Sequence, residues 1–426
     1  MSAKASKWTL DLAPLKKYRD FKILWSSGFV SRLGSMATYV TLPYQLWHST
    51  HSYFASAILG VVEIVPLILA STIGGVLADH HDRQKIVWMT EAGALFATGL
   101  LLINSYFSHP SILVLYFVGA LYATIDGFQR PSMGAIAPQL VSHDDQPAAN
   151  ALNSMSSNFA TIAGPSLGGL MIQGLGVSSV YIFNLVTFAI SVALLMKIKK
   201  TPIANQGKRP GFTSVFDGFS YAWNRKDLLG TYIVDLLAMI LAMPNVLFPA
   251  WVEKINKSWS LGLFYAAGTV GALLVGFFSS LMGRFKKHGR GVVVGALAWG
   301  AAIFLAGTTN QLWIILFSLI AAGGADMISV YYRSAIWNQS ITDDFRGRLA
   351  SIEQLSYSVG PLLGQLRAAS LASWSNLRFS VSFGGVSCIF FIILALFFLP
   401  KMWSYDVETD ENVAIVRKER EKHQNF

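Results

Sequence analysis

Twelve apolar runs follow one another along the chain, and each is long enough to cross a lipid bilayer as a helix. Such a helix needs about 20 predominantly apolar residues. The runs lie at 22–47, 54–78, 86–107, 111–137, 149–173, 177–198, 228–251, 259–283, 291–308, 311–335, 350–373 and 377–400. Of the 426 residues 53% are hydrophobic and only 13% are charged, too few charges to cover a soluble fold of this length. The sequence therefore predicts an all-α membrane protein and argues against an ordinary soluble enzyme.

The runs form two groups of six, separated by a polar stretch that contains Pro202, Gly207, Pro210 and Gly211. We expect an N-terminal segment, two six-helix bundles joined by a linker, and a tail. Their predicted boundaries are 1–21, 22–198, 199–227, 228–400 and 401–426. The tail is rich in charge, which is typical of a solvated segment.

The distribution of positive charge predicts the orientation. If the N-terminus is cytoplasmic, most of the 33 Lys and Arg residues lie in cytoplasmic segments, and the opposite side holds only Lys254, Lys257 and Arg378. Cytoplasmic loops carry such an excess in membrane proteins. We therefore expect both termini in the cytoplasm. The net charge of +10 then reflects topology, and no nucleic-acid partner is expected.

The two groups of runs resemble each other. The fifth run contains GPSLG at 164–168 and the eleventh contains GPLLG at 360–364. An acidic residue followed by an arginine recurs in the fourth and tenth runs. Parallel repeats of six helices are typical of transporters whose halves rock about a site near the midplane. Chance similarity is the alternative, since glycine and proline are common in transmembrane helices.

The segment GGVLADHHDRQK, at 74–85, resembles the loop signature of the major facilitator superfamily. The resemblance implies the major facilitator fold and a loop network that latches the outward-facing state. Gly75 would permit close helix contact, Asp79 would cap a helix N-terminus, and Arg83 would hold that carboxylate.

The loop also departs from the signature, at His80, Asp82 and Gln84. We therefore expect a latch that is weaker or differently connected, in which Lys85 replaces the missing base. The alternative interpretation is an ordinary polar turn between two helices.

A second segment, PAANALNSMSSNFATIAGPSLGGLM at 147–171, resembles the branch of the superfamily that contains the bacterial enterobactin exporter and macrolide efflux proteins. The likeness runs from about Phe21 to Pro400. It implies an exporter-type seam formed by Gly164, Pro165, Gly168 and Gly169. Glycines let a neighbouring helix approach closely, and proline removes a backbone donor.

Charged residues inside the predicted spans indicate a pathway or a pair, because each costs about 2.5–3.5 kcal/mol at a helix centre. They are Arg32, Glu63, Glu91, Asp126, Asp235, Asp326, Glu353 and Arg367. We expect Asp126 and Asp326, and next Glu63, to take up and release protons during transport. Alternatively, Asp126 forms a static salt bridge with Arg130 at i,i+4 spacing. Asp326 could pair with Arg333 in the same way.

The resemblance further implies that the first, fourth, seventh and tenth spans line a central cavity. The substrate-cavity candidates are Arg32, Tyr39, Tyr122, Asp235, Met239 and Tyr357. Arg32 suits an anionic ligand such as a carboxylate-type siderophore, and Arg367 is the weaker choice. For the tyrosines and the methionine the alternative interpretation is helix packing.

These features predict a secondary active transporter in the bacterial plasma (inner) membrane. Its expected function is proton-coupled export of a siderophore or a drug-like amphipathic small molecule by a monomer. Import of a ferric siderophore or related nutrient on the same fold is the alternative. A membrane enzyme is disfavoured, since His143, Asp144 and Asp145 offer only a weak constellation. No phosphate-binding loop or metal-ligand spacing occurs, so no cofactor is expected.

Overall fold

The computed structural model describes residues 11–198, 220–221, 223, 225–278 and 282–424. Within these ranges, side chains are described except at 75–76, 78–80, 134–135, 137–138, 343–348, 350–356, 358 and 418–424. Every regular element in the described ranges is a helix, and each of the twelve predicted runs contains one. The all-α prediction is therefore confirmed.

Sixteen α-helices make up the described chain. They are α1 (Ala13–Lys17), α2 (Arg19–Thr50), α3 (Tyr53–His80), α4 (Arg83–Ser105), α5 (Ile112–Ile136), α6 (Gln146–Leu175), α7 (Val177–Leu195), α8 (Lys226–Ala242), α9 (Phe248–Lys254), α10 (Leu261–Gly276), α11 (His288–Thr308), α12 (Leu312–Ser340), α13 (Asp343–Trp374), α14 (Leu377–Phe398), α15 (Pro400–Ser404) and α16 (Glu411–Gln424). Short 3-10 helices adjoin α5, α6, α9 and α10.

Nine segments of the described chain are long and apolar enough to span a membrane. They are Tyr53–Gly74, Arg83–Ser105, Ile112–Met133, Val177–Leu195, Lys226–Lys254, Ser258–Gly276, His288–Thr308, Leu312–Ser340 and Leu377–Phe398. The other three predicted runs lie in α2, α6 and α13, which have 32, 30 and 32 residues. At about 1.5 Å per residue these helices are also long enough, but they carry more polar side chains. The structure is consistent with twelve spans.

The described chain divides into two compact units. Unit 1 consists of described residues within Met1–His51, Val61–Gln206 and Ser258–Ala266. Unit 2 consists of those within Ser52–Gly60, Gly207–Lys257 and Ala267–Phe426. The division falls inside the predicted linker, but the first residues of α3 group with unit 2 and the first residues of α10 with unit 1.

In unit 1, α2 packs against α6 and α7, and α4 packs against α5 and α7. Buried polar side chains join α2 to α7. Tyr181 donates to the Oε1 of Gln45 at 2.6 Å, and the Nδ2 of Asn184 donates to the Oγ1 of Thr38 at 2.7 Å. Because both partners of each bond lie away from water, the bonds fix the register between the two helices.

In unit 2, α11 packs against α12 and α14, and α8 packs against α13 and α14. The crossing of α11 and α14 depends on two glycines. A Cβ at Gly300 would lie 3.0 Å from the carbonyl oxygen of Gly385, and one at Gly385 would lie 2.5 Å from that of Gly300. The backbones of the two helices therefore touch at this point.

The C-terminal segment packs against unit 2, which differs from the solvated tail that its charges predict. Met402 is 1% exposed, and a Cβ at Gly230 of α8 would lie 2.6 Å from its Sδ. The backbone N–H of Val407 donates to the carbonyl oxygen of Lys286 at 3.2 Å, and Lys286 pairs with Glu408 at 3.2 Å. The few apolar residues among the charges, with Val413 and Val416 also buried, account for the packing.

The N-terminal segment is held to the rest of unit 1 by polar contacts as well as by apolar packing of Leu15 and Tyr18. The Nζ of Lys17, at the end of α1, lies 2.8 Å from the Oδ2 of Asp145, in the segment before α6. The hydroxyls of Tyr18 and Ser142 donate to the same oxygen at 2.7 and 3.0 Å. Led by the hydrogen bond from Lys17, these contacts lower the pKa of Asp145 to about 2.

Candidate functional site

The glycines of the fifth predicted span lie where α6 crosses α2. A Cβ at Gly164 would lie 2.9 Å from the carbonyl oxygen of Leu33, and one at Gly168 would lie 2.9 Å from that of Ala37. Any larger side chain would therefore meet helix backbone, which cannot move aside as the end of a flexible side chain can. The GPSLG sequence thus permits backbone contact between the two helices.

On the next position of α6, Gly169 faces a glycine that the sequence analysis did not single out. A Cβ at Gly169 would lie 2.7 Å from the amide nitrogen of Gly262, at the start of α10. In return, a Cβ at Gly262 would lie 2.7 Å from the carbonyl oxygen of Pro165. α6 continues as one helix through Pro165. Gly262 was missed because a lone glycine in an apolar run is common in transmembrane helices.

The corresponding GPLLG sequence makes an equally close crossing in unit 2, between α13 and α8. A Cβ at Gly364 would lie 2.8 Å from the Cβ of Met243 and closer still to the carbonyl oxygen of Met239. A Cβ at Gly360 would lie 3.3 Å from the Cβ of Met239. Met239 is 8% exposed, so its contacts are those of helix packing.

In the loop between α3 and α4, two of the residues that depart from the family signature form hydrogen bonds. The Oδ1 of Asp82 accepts from the backbone N–H groups of Gln84 and Lys85 at 2.9 and 3.4 Å, which caps α4. The Nε2 of Gln84 donates to the carbonyl oxygen of Ile198 at 2.9 Å, just beyond the end of α7. The loop is therefore tied to the last residues before the linker.

The three latch residues that the family signature implies are only partly described. Gly75 and Asp79 lie in the last turns of α3, outside the side chains that the structure describes. Arg83 is the first residue of α4.

Asp126 and Arg130 form an ion pair along α5. The Nη2 of Arg130 lies 2.5 Å from the Oδ2 of Asp126, and the two side chains are 49% and 41% exposed. This is the i,i+4 salt bridge that the sequence offered as the alternative to a titrating acid. Asp126 therefore has a counter-charge on its own helix.

Arg333 of α12 is only 1% exposed and pairs with Asp235 of α8, which is 5% exposed. Its Nη2 donates to the hydroxyl of Tyr357 at 3.1 Å, and its guanidinium lies 5.6 Å from the ring centre of Trp337. The pairing of Arg333 with Asp326 that the sequence offered is not formed. Seven residues along a helix separate those two by about 10 Å, whereas α8 packs directly beside Arg333.

Two other in-span acids have no such partner. Asp326 lies in the electrostatic field of both Arg333 and Asp235 but makes no hydrogen bond or ion pair with any described residue. Glu63 of α3 likewise makes none within the described ranges. In unit 2, two carboxylates therefore lie in the electrostatic field of one guanidinium, and one of them is paired with it.

In unit 1 it is the arginine, Arg32, that lacks an ion-pair partner among the described residues. Arg32 is half-buried in α2 and makes no hydrogen bond or ion pair with the described part of the chain. Glu91 of α4 lies in its field and is 5% exposed. The Oε1 of Glu91 accepts from the Oγ of Ser31 at 2.9 Å and from the Nε2 of Gln129 at 2.7 Å. The hydroxyl of Ser191, on α7, is a further hydrogen-bonding neighbour of this carboxyl group.

The two tyrosines assigned to the cavity from sequence have different surroundings. The hydroxyl of Tyr122 lies 2.7 Å from the Oγ1 of Thr98, and its ring packs against the core of α4, α5 and α7. This is the helix-packing alternative. Tyr39 is 44% exposed and makes an edge-to-face contact with Tyr265, with ring centres 5.8 Å apart.

Arg367 joins three helices of unit 2 through backbone carbonyls. Its Nη1 donates to the carbonyl oxygen of Ser380 at 2.9 Å and its Nε to that of Ile240 at 3.3 Å. These contacts link α13 to α14 and α8. Among the described residues, no group of three or more His, Cys, Asp or Glu side chains is arranged to hold a metal ion.

Residues 24–340 match the sequence model of the Major Facilitator Superfamily. The chain belongs to this superfamily. It is therefore a membrane transporter, and the family resemblance predicted from the loop signature is confirmed. The match spans unit 1 from Leu24 onward and the larger part of unit 2.

Curated relatives match nearly the whole chain. The enterobactin exporter EntS of Salmonella choleraesuis is 22% identical over 401 residues, covering 93% of this chain and 96% of that protein. The protein of the same name from Shigella boydii is 22% identical over 397 residues, covering 93% and 95%. The branch predicted from the second segment is thus the one in which these relatives are found.

Solved structures show the same fold. The nucleoside transporter NupG superposes with a TM-score of 0.68 at 13% identity, covering 91% of this chain and 100% of that one. A bacterial homologue of the iron transporter ferroportin, in an inward-facing state, gives 0.70 at 16% identity, covering 91% and 99%. The major facilitator fold of this membrane transporter is therefore confirmed.

Proposed function

We propose that the chain is a proton-coupled exporter, which moves a siderophore or a drug-like amphipathic small molecule outward by alternating access. The similarity to enterobactin exporters along nearly the whole chain supports the direction of transport and the class of substrate. Proton coupling rests on the charged cluster of unit 2.

That cluster consists of Asp235, Asp326 and Arg333, and it carries the proposal. If both carboxylates were ionised beside one guanidinium, the cluster would hold a net negative charge inside the membrane. A single unpaired charge there costs about 2.5–3.5 kcal/mol. Because Asp235 is paired with Arg333, the exchangeable proton falls to Asp326. Glu63 is the second choice, and Asp126 the third, since it already has a counter-charge.

Protons entering the cell supply enough energy for export. Moving one charge across the membrane potential yields about 2.3 kcal/mol per 100 mV. A pH difference adds about 1.4 kcal/mol per unit. One proton per molecule therefore drives accumulation by tenfold or more under ordinary gradients.

In unit 1, we assign Arg32 to an anionic group of the substrate. Its guanidinium is half-buried and unpaired within the described chain, and a guanidinium matches a carboxylate with two parallel hydrogen bonds. Tyr39 lies two helical turns further along the same face of α2 and offers an aromatic surface beside it. The other cavity candidates have indirect roles in this proposal. Asp235 and Tyr357 hold Arg333 in place, whereas Tyr122 and Met239 contribute to helix packing.

The glycine crossings are the proposed gating elements. Gly164 and Gly168 hold α6 against α2, and Gly169 holds it against the start of α10. Backbone contacts of this kind can break and form without rearranging side chains. The loop with Gly75, Asp79 and Arg83 is the proposed second gating element. Both termini are assigned to the cytoplasm of a bacterial cell from the distribution of Lys and Arg.

The experiment is transport of enterobactin, as the test compound, by purified protein in liposomes with an imposed pH gradient. Asp326→Asn should abolish gradient-driven flux while leaving flux down the compound's own gradient. Asp126→Asn is the matched control and should retain most of the driven flux, because its carboxylate is paired with Arg130. Unaltered driven flux in Asp326→Asn overturns the coupling, and absence of any flux in the unmodified protein overturns the substrate class.

A further inference from the structure

One face of α2 presents two aromatic rings and a guanidinium in unit 1. Trp25, Phe29 and Arg32 are spaced at i, i+4 and i+7, so they project from the same side of the helix. The rings of Trp25 and Phe29 are stacked, with centres 5.6 Å apart and an angle of 3° between their planes. All three side chains are partly exposed. This face of α2 therefore combines an aromatic surface with a positive charge.

α6 adds a third ring to the aromatic surface. The ring centres of Phe159 and Phe29 lie 5.7 Å apart, and Phe159 is 53% exposed. The Nε1 of Trp25 donates to the carbonyl oxygen of Leu152 at 3.1 Å, which fixes the first ring against α6. The rings of Trp25, Phe29 and Phe159 thus form a continuous aromatic shelf that two helices build.

The guanidinium of Arg32 lies beside the aromatic shelf because the preceding turn of α2 contains a glycine. A Cβ at Gly28 would lie 3.7 Å from the Nη2 of Arg32 and 3.6 Å from the Cε of Met133 on α5. The side chain of Arg32 is thus directed back along α2, as long side chains in helices usually are, towards the turn that carries Phe29. The charged group and the rings consequently border one surface, with α5 on one side of it and α6 on the other.

Lipid is an unsuitable occupant of this surface. Arg32 lies within a predicted span, and a charged side chain there faces a bundle interior or a water-filled cavity rather than hydrocarbon. The part of α6 that carries Phe159 also presents exposed polar side chains, those of Ser154, Ser157 and Asn158. Polar groups of this kind are costly to bury against hydrocarbon without hydrogen bonds. The aromatic shelf therefore belongs to a polar pathway.

We propose that the aromatic shelf and Arg32 together bind an aryl carboxylate, with the carboxylate on the guanidinium and the aromatic ring against Phe29 and Phe159. A guanidinium binds a carboxylate through two parallel hydrogen bonds. Aromatic rings attract one another in offset or edge-to-face arrangements, with centres about 4.5–7 Å apart. In an aryl carboxylate the charge is attached directly to the ring, which matches a guanidinium that borders the shelf.

Phe29 and Phe159 are then specificity-determining residues, which favour an aromatic anion over a saturated anion of similar size. The inference rests on the proposed anion-binding role of Arg32, and it narrows the class of substrate to anions with an exposed aromatic ring.

The test compares two acids that carry the same charge and differ in their rings. Purified full-length protein is titrated with 2-naphthoate or with its saturated counterpart, decahydro-2-naphthoate, and binding is measured by calorimetry. 2-Naphthoate should bind about 2- to 10-fold more tightly, because aromatic pairs attract each other beyond the burial of apolar area. Equal affinities of the two acids for the unmodified protein would overturn the aromatic shelf as a binding surface.

Variants locate the preference. Phe29→Leu and Phe159→Leu keep an apolar side chain but remove the ring, so each should bring the two affinities closer together. Phe117→Leu is the matched control and should keep the full preference, since Phe117 is 59% exposed on α5 and lies outside the aromatic shelf. A full preference in both shelf variants would show that the shelf is wrong while the anion site stands.

Arg32→Gln separates this inference from the proposed function, since it should lose the binding of both acids. If neither acid binds the unmodified protein, or if both bind Arg32→Gln as tightly as the unmodified protein, the anion site itself is wrong. The role of the aromatic shelf then falls with it.

Discussion

In unit 1 the half-buried Arg32 has no ion-pair partner among the described residues and the buried acid is held by neutral donors, whereas in unit 2 the buried arginine is paired and an acid is left over. Arg32 contrasts with Arg333, and Glu91 contrasts with Asp326. Both units nevertheless have the same close glycine crossing, at Gly168 and at Gly364. The repeated scaffold therefore carries two different charge arrangements, and the proposed function assigns one to an anion and the other to a proton.

The largest effect is expected from removing the paired arginine. Arg333→Met leaves the carboxylate of Asp235 buried without its counter-charge, which should lower the free energy of unfolding by about 3–5 kcal/mol. Thermal unfolding of the purified protein in detergent measures it. The double variant with Asp235→Asn should recover most of the loss. Equal stability of Arg333→Met and the unmodified protein would remove the contrast between the two arginines.

The two chain ends offer a second contrast, since Met402 of the C-terminal segment is almost completely buried, whereas the N-terminal segment adds a network of polar contacts around Asp145. Met402→Ala removes a side chain that is 1% exposed and packs against α8. It should cost about 2–5 kcal/mol, the range for large-to-small changes in a core. Ile415→Ala, 51% exposed on the same segment, is the matched control and should have little effect. If the tail were solvated, neither variant would change the stability measured by thermal unfolding.

A smaller effect is expected at the half-exposed pair of α5. Arg130→Met removes a partner whose side chain is 49% exposed, so the loss of stability should stay below about 1 kcal/mol. Comparing the stability of this variant with that of Arg333→Met tests whether burial determines how much an ion pair stabilises this protein. A loss as large as that of Arg333→Met would show that it does not.

The smallest effect is expected at the N-terminal segment and depends on pH. The pKa of Asp145 is lowered from 3.8 to about 2. The ionised carboxylate therefore stabilises the docked segment fully at pH values above the ordinary pKa, and this stabilisation is lost as the pH falls through about 2. Hydrogen exchange of residues 11–18 should therefore stay slow until strongly acidic pH. Asp145→Asn should raise the exchange at every pH, whereas Asp144→Asn should not. Release of the segment above the ordinary pKa would contradict the assignment.

The sequence predicted the helices, the family and the close crossings because each leaves a pattern in the chain. Apolar runs of fixed length predict spans, and the Gly-Pro elements at 164–168 and 360–364 predict the contacts of α6 and α13. Asp126 and Arg130 are i,i+4 neighbours, so their pair could also be anticipated from spacing alone.

The pairings between helices could not be predicted in this way. Asp235 and Arg333 are almost a hundred residues apart, and nothing in their spacing selects Asp235 over Asp326. The neutral donors of Glu91, Ser31 and Gln129, belong to residue types that occur throughout such helices. The packing of the tail through a few apolar side chains was missed because these residues are outnumbered by charges between Asp406 and Lys422.

Proton movement driven by the test compound tests the central claim most directly. Liposomes that contain the unmodified protein and a pH indicator receive an outward gradient of the compound, with no imposed pH gradient. If export is exchanged for protons, the lumen should acidify as the compound leaves, and Asp326→Asn should show efflux without acidification. Efflux from the unmodified protein with no change in the pH of the lumen would contradict proton coupling.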